Sequence, residues 1–116
     1  MKLMNCTPHS ITVQDFITKV AFEVPRSGTI IRTRTNSTFD KVVDLPSRRC
    51  IAVNNNKGIS ISNLPEEQDD VMLILSAVSA ADVKLMYPER KDIYSPDELF
   101  RSASGQIIYC KALMRW

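Results

Sequence analysis

Apolar and polar positions alternate in short runs along most of this chain, and such runs predict strands. Lys2-Leu3-Met4-Asn5 reads as a first strand, stopped by Pro8. Ser10-Ile11-Thr12-Val13 alternates with period two and is rich in β-branched residues, the pattern of a half-buried strand. Val20 to Val24 predicts another, closed by Pro25, and Arg26-Ser27-Gly28 supplies a turn. Thr29 to Arg34 follows, with Ile31 and Thr33 on one face and Ile30, Arg32 and Arg34 on the other. Asp40 to Leu45 is a weaker strand halted by Pro46. Cys50 to Val53 and Gly58 to Ser62 flank Asn54-Asn55-Asn56-Lys57, and this predicts a hairpin, because Asn and Gly tolerate left-handed backbone angles.

Val71 to Leu75 is apolar on both faces, as a strand covered on both sides is. From Ser76 to Met86 the period changes to helical. Ala77, Ala80, Ala81 and Leu85 share a face, and Ser79 with Asp82 three residues on resembles a capping box. Pro88 closes this helix. Asp97-Glu98 after Pro96 reads as the first turn of a helix. Ser102 to Gly105 is a turn into a last strand, Gln106 to Leu113. These elements make residues 1–116 a single domain of the α+β class, β-rich. They predict a mostly antiparallel small sheet or barrel-like domain, with one short helix after a central strand.

Composition narrows the class. The 44% hydrophobic and 24% charged residues are ordinary for a globular chain. The longest apolar run falls far short of the ~20 residues of a membrane span. Met1-Lys2-Leu3-Met4 turns polar too soon for a signal peptide, so a cytoplasmic location in a bacterial host, with no membrane partner, is expected. The cysteines Cys6, Cys50 and Cys110 are isolated and lie among apolar neighbours. They read as buried small hydrophobes, and neither a metal site nor a cofactor is expected. Net charge is +2, but residues 1–60 hold nine Lys/Arg against four acids, and residues 61–116 hold six against nine. Opposed halves permit attraction between subunits, so a homo-oligomer is an expected partner state.

Candidate chemistry is sparse. A Cys6/His9 pair would need a third group to orient the ring, and Pro8 stiffens the chain between them. A backbone-bonded structural role suits His9, with donation to a ligand as the second choice. Glu66 to Asp70 lacks the spacing and glycine of a calcium loop and reads as solvated. Three glycines, at 28, 58 and 105, leave no glycine-rich phosphate loop. An anion has another route. Ser76 and Ser79 lie where a central strand enters a helix, and hydroxyls with free N–H groups there face a phosphate. Arg90 and Lys91 follow the same helix, and Arg32 and Arg34 project together from one strand face. Phe39 is the only aromatic near the basic stretch, and net charge is near neutral, so nucleic acid is not expected as a partner.

Asn5-Cys6-Thr7-Pro8-His9-Ser10-Ile11 resembles the Asn-Leu-Thr-Pro-His-x-Ile opening of a family of small phage and bacterial proteins. Val24 to Gly28, Gly58 to Pro65, Leu73 to Val78, Arg90 to Pro96 and Arg101 to Cys110 are similar to its later segments, in order. Cys6 stands in place of the usual leucine, and Asn36 to Asn56 has no counterpart. The resemblance implies a phage origin and a shared one-domain fold, and carries no activity with it. The expectation that follows is a non-enzymatic phage-type binding protein that sequesters a small anionic, nucleotide-type signal and so counters bacterial defence. Its ligand residues would be His9, Arg32, Arg34, Ser76, Ser79, Arg90, Lys91 and Arg101. The alternatives are a protein-binding inhibitor of a host defence complex, using Glu66 to Asp70 or the end at Trp116, and a small Cys/His hydrolase.

Overall fold

The computed structural model describes residues 1–116. The chain is β-rich α+β, with eight strands and one α-helix. In order these are β1 (Lys2–Asn5), β2 (Ile11–Gln14), β3 (Ala21–Val24), β4 (Arg32–Leu45), β5 (Arg49–Ser62), β6 (Val71–Ile74), α1 (Ala77–Met86), β7 (Ile93–Arg101) and β8 (Ile107–Arg115). No helix is long and apolar enough to cross a membrane.

Six strands form a sheet in the order β1-β6-β7-β8-β2-β3. A parallel bridge between Asn5 and Arg26, just past β3, links its two edges, so the sheet curls into a nearly closed barrel. The hairpins β2/β3 and β7/β8 are antiparallel, whereas β1/β6, β6/β7 and β2/β8 are parallel. Parallel neighbours need long crossovers, and α1 is the crossover from β6 to β7.

The double-faced apolar run has a simple explanation. Ile74 points into the barrel and packs with Val13, Val24 and Cys110, one residue from each of four strands. Leu73 and Leu75 point the other way, where Ala80 and Val83 of α1 join Cys6, Ile31 and Ile93 in a second cluster. Trp116 packs against the same cluster, and its indole N–H donates to the buried Ser95 hydroxyl at 2.9 Å.

The two remaining strands stand apart. β4 and β5 pair only with each other, as an antiparallel ribbon of 14 residues a side. This corrects the hairpin expected around Asn54 to Lys57. The turn is at Pro46–Arg48, where Ser47 and Arg48 take positive φ. Asn54 to Asn56 instead pair with Phe39 to Ser37. The Asn/Gly signature marks a bulge: Lys57 and Gly58 oppose Asn36, Gly58 has φ +102°, and its N–H donates to the Asn56 side chain at 2.7 Å. Asn36 to Asn56, the stretch without a counterpart in the resemblance, is the distal part of this arm.

Two other expectations are corrected. Asp97 and Glu98 lie within strand β7, paired with β8, not in a helical turn. The cap of α1 is Ser76, not Ser79: the Ser76 hydroxyl accepts from the Ser79 N–H at 3.3 Å. Asp82 is free of capping because it bonds the ribbon, and Leu85 lies exposed while Val83 takes the buried face.

Candidate functional site

The largest cleft, about 800 Å³, opens where the foot of the ribbon meets the barrel and the start of α1. That volume lies within the range of small-molecule sites. Three pieces of chain build it. The corner after β1 contributes Cys6, Thr7 and Pro8; the ribbon foot contributes Arg32, Thr33, Arg34, Ser60 and Ser62; α1 contributes Ser76 and Ser79.

The corner is held by one side chain. Asn5 is 1% exposed and uses its whole hydrogen-bonding capacity. Its Nδ2 donates to the His9 carbonyl at 2.7 Å and the Val24 carbonyl at 3.1 Å. Its Oδ1 accepts from the Thr7 N–H at 3.0 Å and the Thr7 hydroxyl at 2.6 Å. Its backbone carbonyl accepts from the Ser27 N–H at 2.9 Å and hydroxyl at 2.7 Å. The next residue extends the lock: the Cys6 N–H donates to Ile74, and the Cys6 carbonyl accepts from Ile31 at 3.1 Å. The corner, the end of β6 and the ribbon foot are thus one unit.

The ribbon foot is set by register. Arg32 faces Ser62 and Arg34 faces Ser60, so two guanidiniums and two hydroxyls share a face. Thr33 belongs to the next row and ties the foot to the helix, its hydroxyl donating to Asp82 Oδ2 at 2.7 Å. The chain's one ion pair is Arg90–Asp92, so Arg32 and Arg34 are cations without an acidic partner. At the third wall stand Ser76, the N-cap of α1, and Ser79, whose N–H donates to the Ser76 hydroxyl.

Four of the eight residues expected to bind a ligand therefore come together: Arg32, Arg34, Ser76 and Ser79. The other four do not line this cleft. Arg90 is buried against Asp92, with Nε to Oδ1 at 3.0 Å and Nη2 to Oδ2 at 2.8 Å. That hydrogen bond, and the adjacent charge, hold the guanidinium even more firmly ionised than usual, against the opposing effect of burial. The Lys91 N–H caps the Glu67 carboxylate at 2.9 Å, on the acidic side of the molecule. Arg101 reaches the Gly105 carbonyl at 3.1 Å, at the β7–β8 turn. His9 is engaged through its carbonyl and lies exposed beside Pro8.

Thr7, Asn36, Ser60 and Ser62 line the cleft and escaped the sequence reading. The signal for the serines was present: Ser60 and Ser62 alternate as Arg32 and Arg34 do. Only the assumption of a turn at Asn54 to Lys57 separated the two stretches. No carboxylate or imidazole lines the cleft. Its thiol, Cys6, is pushed above the ordinary range by burial, with Ser27 opposing through a hydrogen bond and Asp92 adding to the rise. A protonated, buried thiol is a poor nucleophile. The cleft offers cationic and hydroxyl-bearing residues. Comparison with protein-family models, with curated proteins and with solved structures finds no match.

Proposed function

We propose that this chain is a non-catalytic binding protein that holds a small phosphate-bearing anion, of the nucleotide type, at the foot of its ribbon. The observation that carries the reading is the meeting of two arginines without an acidic partner, Arg32 and Arg34, with Ser76 and Ser79 at the start of α1 in one cleft. Guanidiniums grip phosphate oxygens in pairs, and each charged hydrogen bond contributes roughly 1.5–3 kcal/mol. Thr7, Ser60 and Ser62 supply neutral hydroxyls for a sugar or base edge. The lining provides no general base and no activated nucleophile, so affinity without turnover suits it. Sequestration needs affinity alone. With the resemblance to phage-borne proteins, capture of a signal molecule of a bacterial defence is the biological role that fits.

The test is retention. The purified chain is incubated with a nucleotide-rich extract, washed, heat-released, and the eluate identified by mass. The expected result is one phosphorylated compound returned unchanged. Arg32→Ala and Arg34→Ala should each weaken its binding roughly tenfold or more, since ~1.4 kcal/mol corresponds to a factor of ten. An empty eluate, a chemically altered compound, or a doubly substituted chain that binds as well as the parent would each refute the reading.

A further inference from the structure

We infer that the distal half of the β4–β5 arm is a docking element for a second copy of this chain. The first observation is surface. The chain exposes 8295 Å², whereas a compact monomer of 13.1 kDa exposes roughly 6,400 Å². The excess, roughly 1,900 Å², is more than the ~800 Å² each partner contributes to a stable interface. The radius of gyration, 18.4 Å, compares with about 13 Å for a compact chain of this length.

The second observation is where the excess lies and what it is made of. The ribbon pairs with no other strand and meets the body chiefly through α1, and a lone two-stranded hairpin is marginal in water. Both faces carry apolar side chains. Val43 pairs with Ile51 on one and Val42 with Ala52 on the other, and Phe39 near the second bulge is 65% exposed. A ribbon solvated on both sides has no use for this pattern. One inserted against a protein surface does.

Charge selects the occupant. The arm, residues 32–62, holds six cations against two acids, net +4, and the rest of the chain is therefore net −2. Arg48 and Arg49 crown the tip. The complementary patch is on the body: the exposed acids Asp69 and Asp70 lie beside Met1, Lys2 and Val71, where β1 pairs with β6. The chain cannot satisfy itself. The acidic loop begins four residues after the foot of the ribbon, and 14 extended residues place the tip about 46 Å away at ~3.3 Å each. The tip of one copy therefore meets the acidic patch of another. As each copy offers one arm and one patch, the contact closes as a two-fold dimer or a ring.

The experiment is a reciprocal charge swap on the full-length chain, read by sedimentation equilibrium and native mass. The parent should sediment at a multiple of 13.1 kDa, and high salt should weaken the assembly. R48E/R49E and D69K/D70K should each be monomeric with unchanged far-UV circular dichroism, because all four side chains are exposed. Mixed in equal amounts, the two variants restore both contacts, and the mass should return to that of the parent. Glu67 is left untouched because its carboxylate already caps Lys91. A monomeric parent, with or without added nucleic acid, overturns the inference. So does an oligomer that ignores either swap, or a mixture that stays monomeric.

Discussion

At the scale of the residue, the chain's opening motif is an architectural device centred on Asn5. A side-chain amide that donates to two carbonyls and accepts twice, all at a 1% exposed position, cannot be replaced in kind. Asn5→Ala orphans buried carbonyl and hydroxyl groups, at roughly 1–3 kcal/mol each. Chemical denaturation should show the loss. Asn5→Asp should fare no better, since a carboxylate cannot donate to His9 and Val24. His9→Ala, by contrast, keeps the carbonyl and should leave stability near that of the parent. Asp15 gives the pH counterpart. Its carboxylate accepts from the Thr18 and Ile17 N–H groups, both at 2.8 Å, and these bonds hold its pKa below the usual value. A depressed folded-state pKa contributes order that is fully present above the unfolded value and fades as pH falls through the folded one. The protection of the Ile17 and Thr18 amides, measured relative to their intrinsic exchange rates, should therefore fall in acid, below the range where free aspartates titrate. Asp15→Asn should flatten that dependence.

At the scale of the element, α1 and its exit are pinned by pairs that no period reveals. Thr33 to Asp82 ties the helix to the ribbon foot. The fork of Arg90 on Asp92 secures the loop into β7, and the Asp92 backbone carbonyl accepts from Leu73 at 2.8 Å. Arg90→Ala leaves a buried carboxylate without its partner and should cost roughly 3–5 kcal/mol, seen as a fall in Tm. The same substitution should spare ligand binding at temperatures where the fold survives, because Arg90 is outside the cleft. Strand positions were largely legible: β1, β2, β3, β6 and β8 fall where apolar alternation placed them, as does the helix. What misled was local chemistry shared by two outcomes. A glycine at positive φ beside asparagines, as at Gly58, serves a bulge as well as a turn, and acids after a proline suit a strand as well as a helix start. Pairing with a distant strand, not the local dipeptide, decides between them.

At the scale of the whole molecule, half of the expected site converged and half dispersed. Arg32 and Arg34 line one cleft with Ser76 and Ser79 because Thr33, between them, bonds Asp82 and ties the ribbon foot to α1. The side chains of Arg90 and Arg101 are spent on structural partners elsewhere, and Lys91 lies away from the cleft, its backbone N–H donating to Glu67. The molecule also has an unusual balance, with 15 of 116 residues buried despite ordinary hydrophobic content. That surplus of uncovered apolar surface is the ground for proposing assembly through the arm. The cleft lies at the root of the same arm, so the proposed ligand site and the proposed docking element would share the stretch Arg32 to Arg34.

The sequence by itself determined the β-rich class, the place of the one helix, the apolar strand at the centre and the unevenness of charge. Each is written in spacing over a few residues, and short-range sterics and burial enforce it. Only the tertiary structure decided that the barrel closes through Asn5, that two predicted strands and a predicted turn are one 14-residue strand, and which arginines remain free. Those outcomes depend on contacts between residues tens of positions apart. A buried amide or an unpaired cation is defined by its surroundings in space, which no local pattern records.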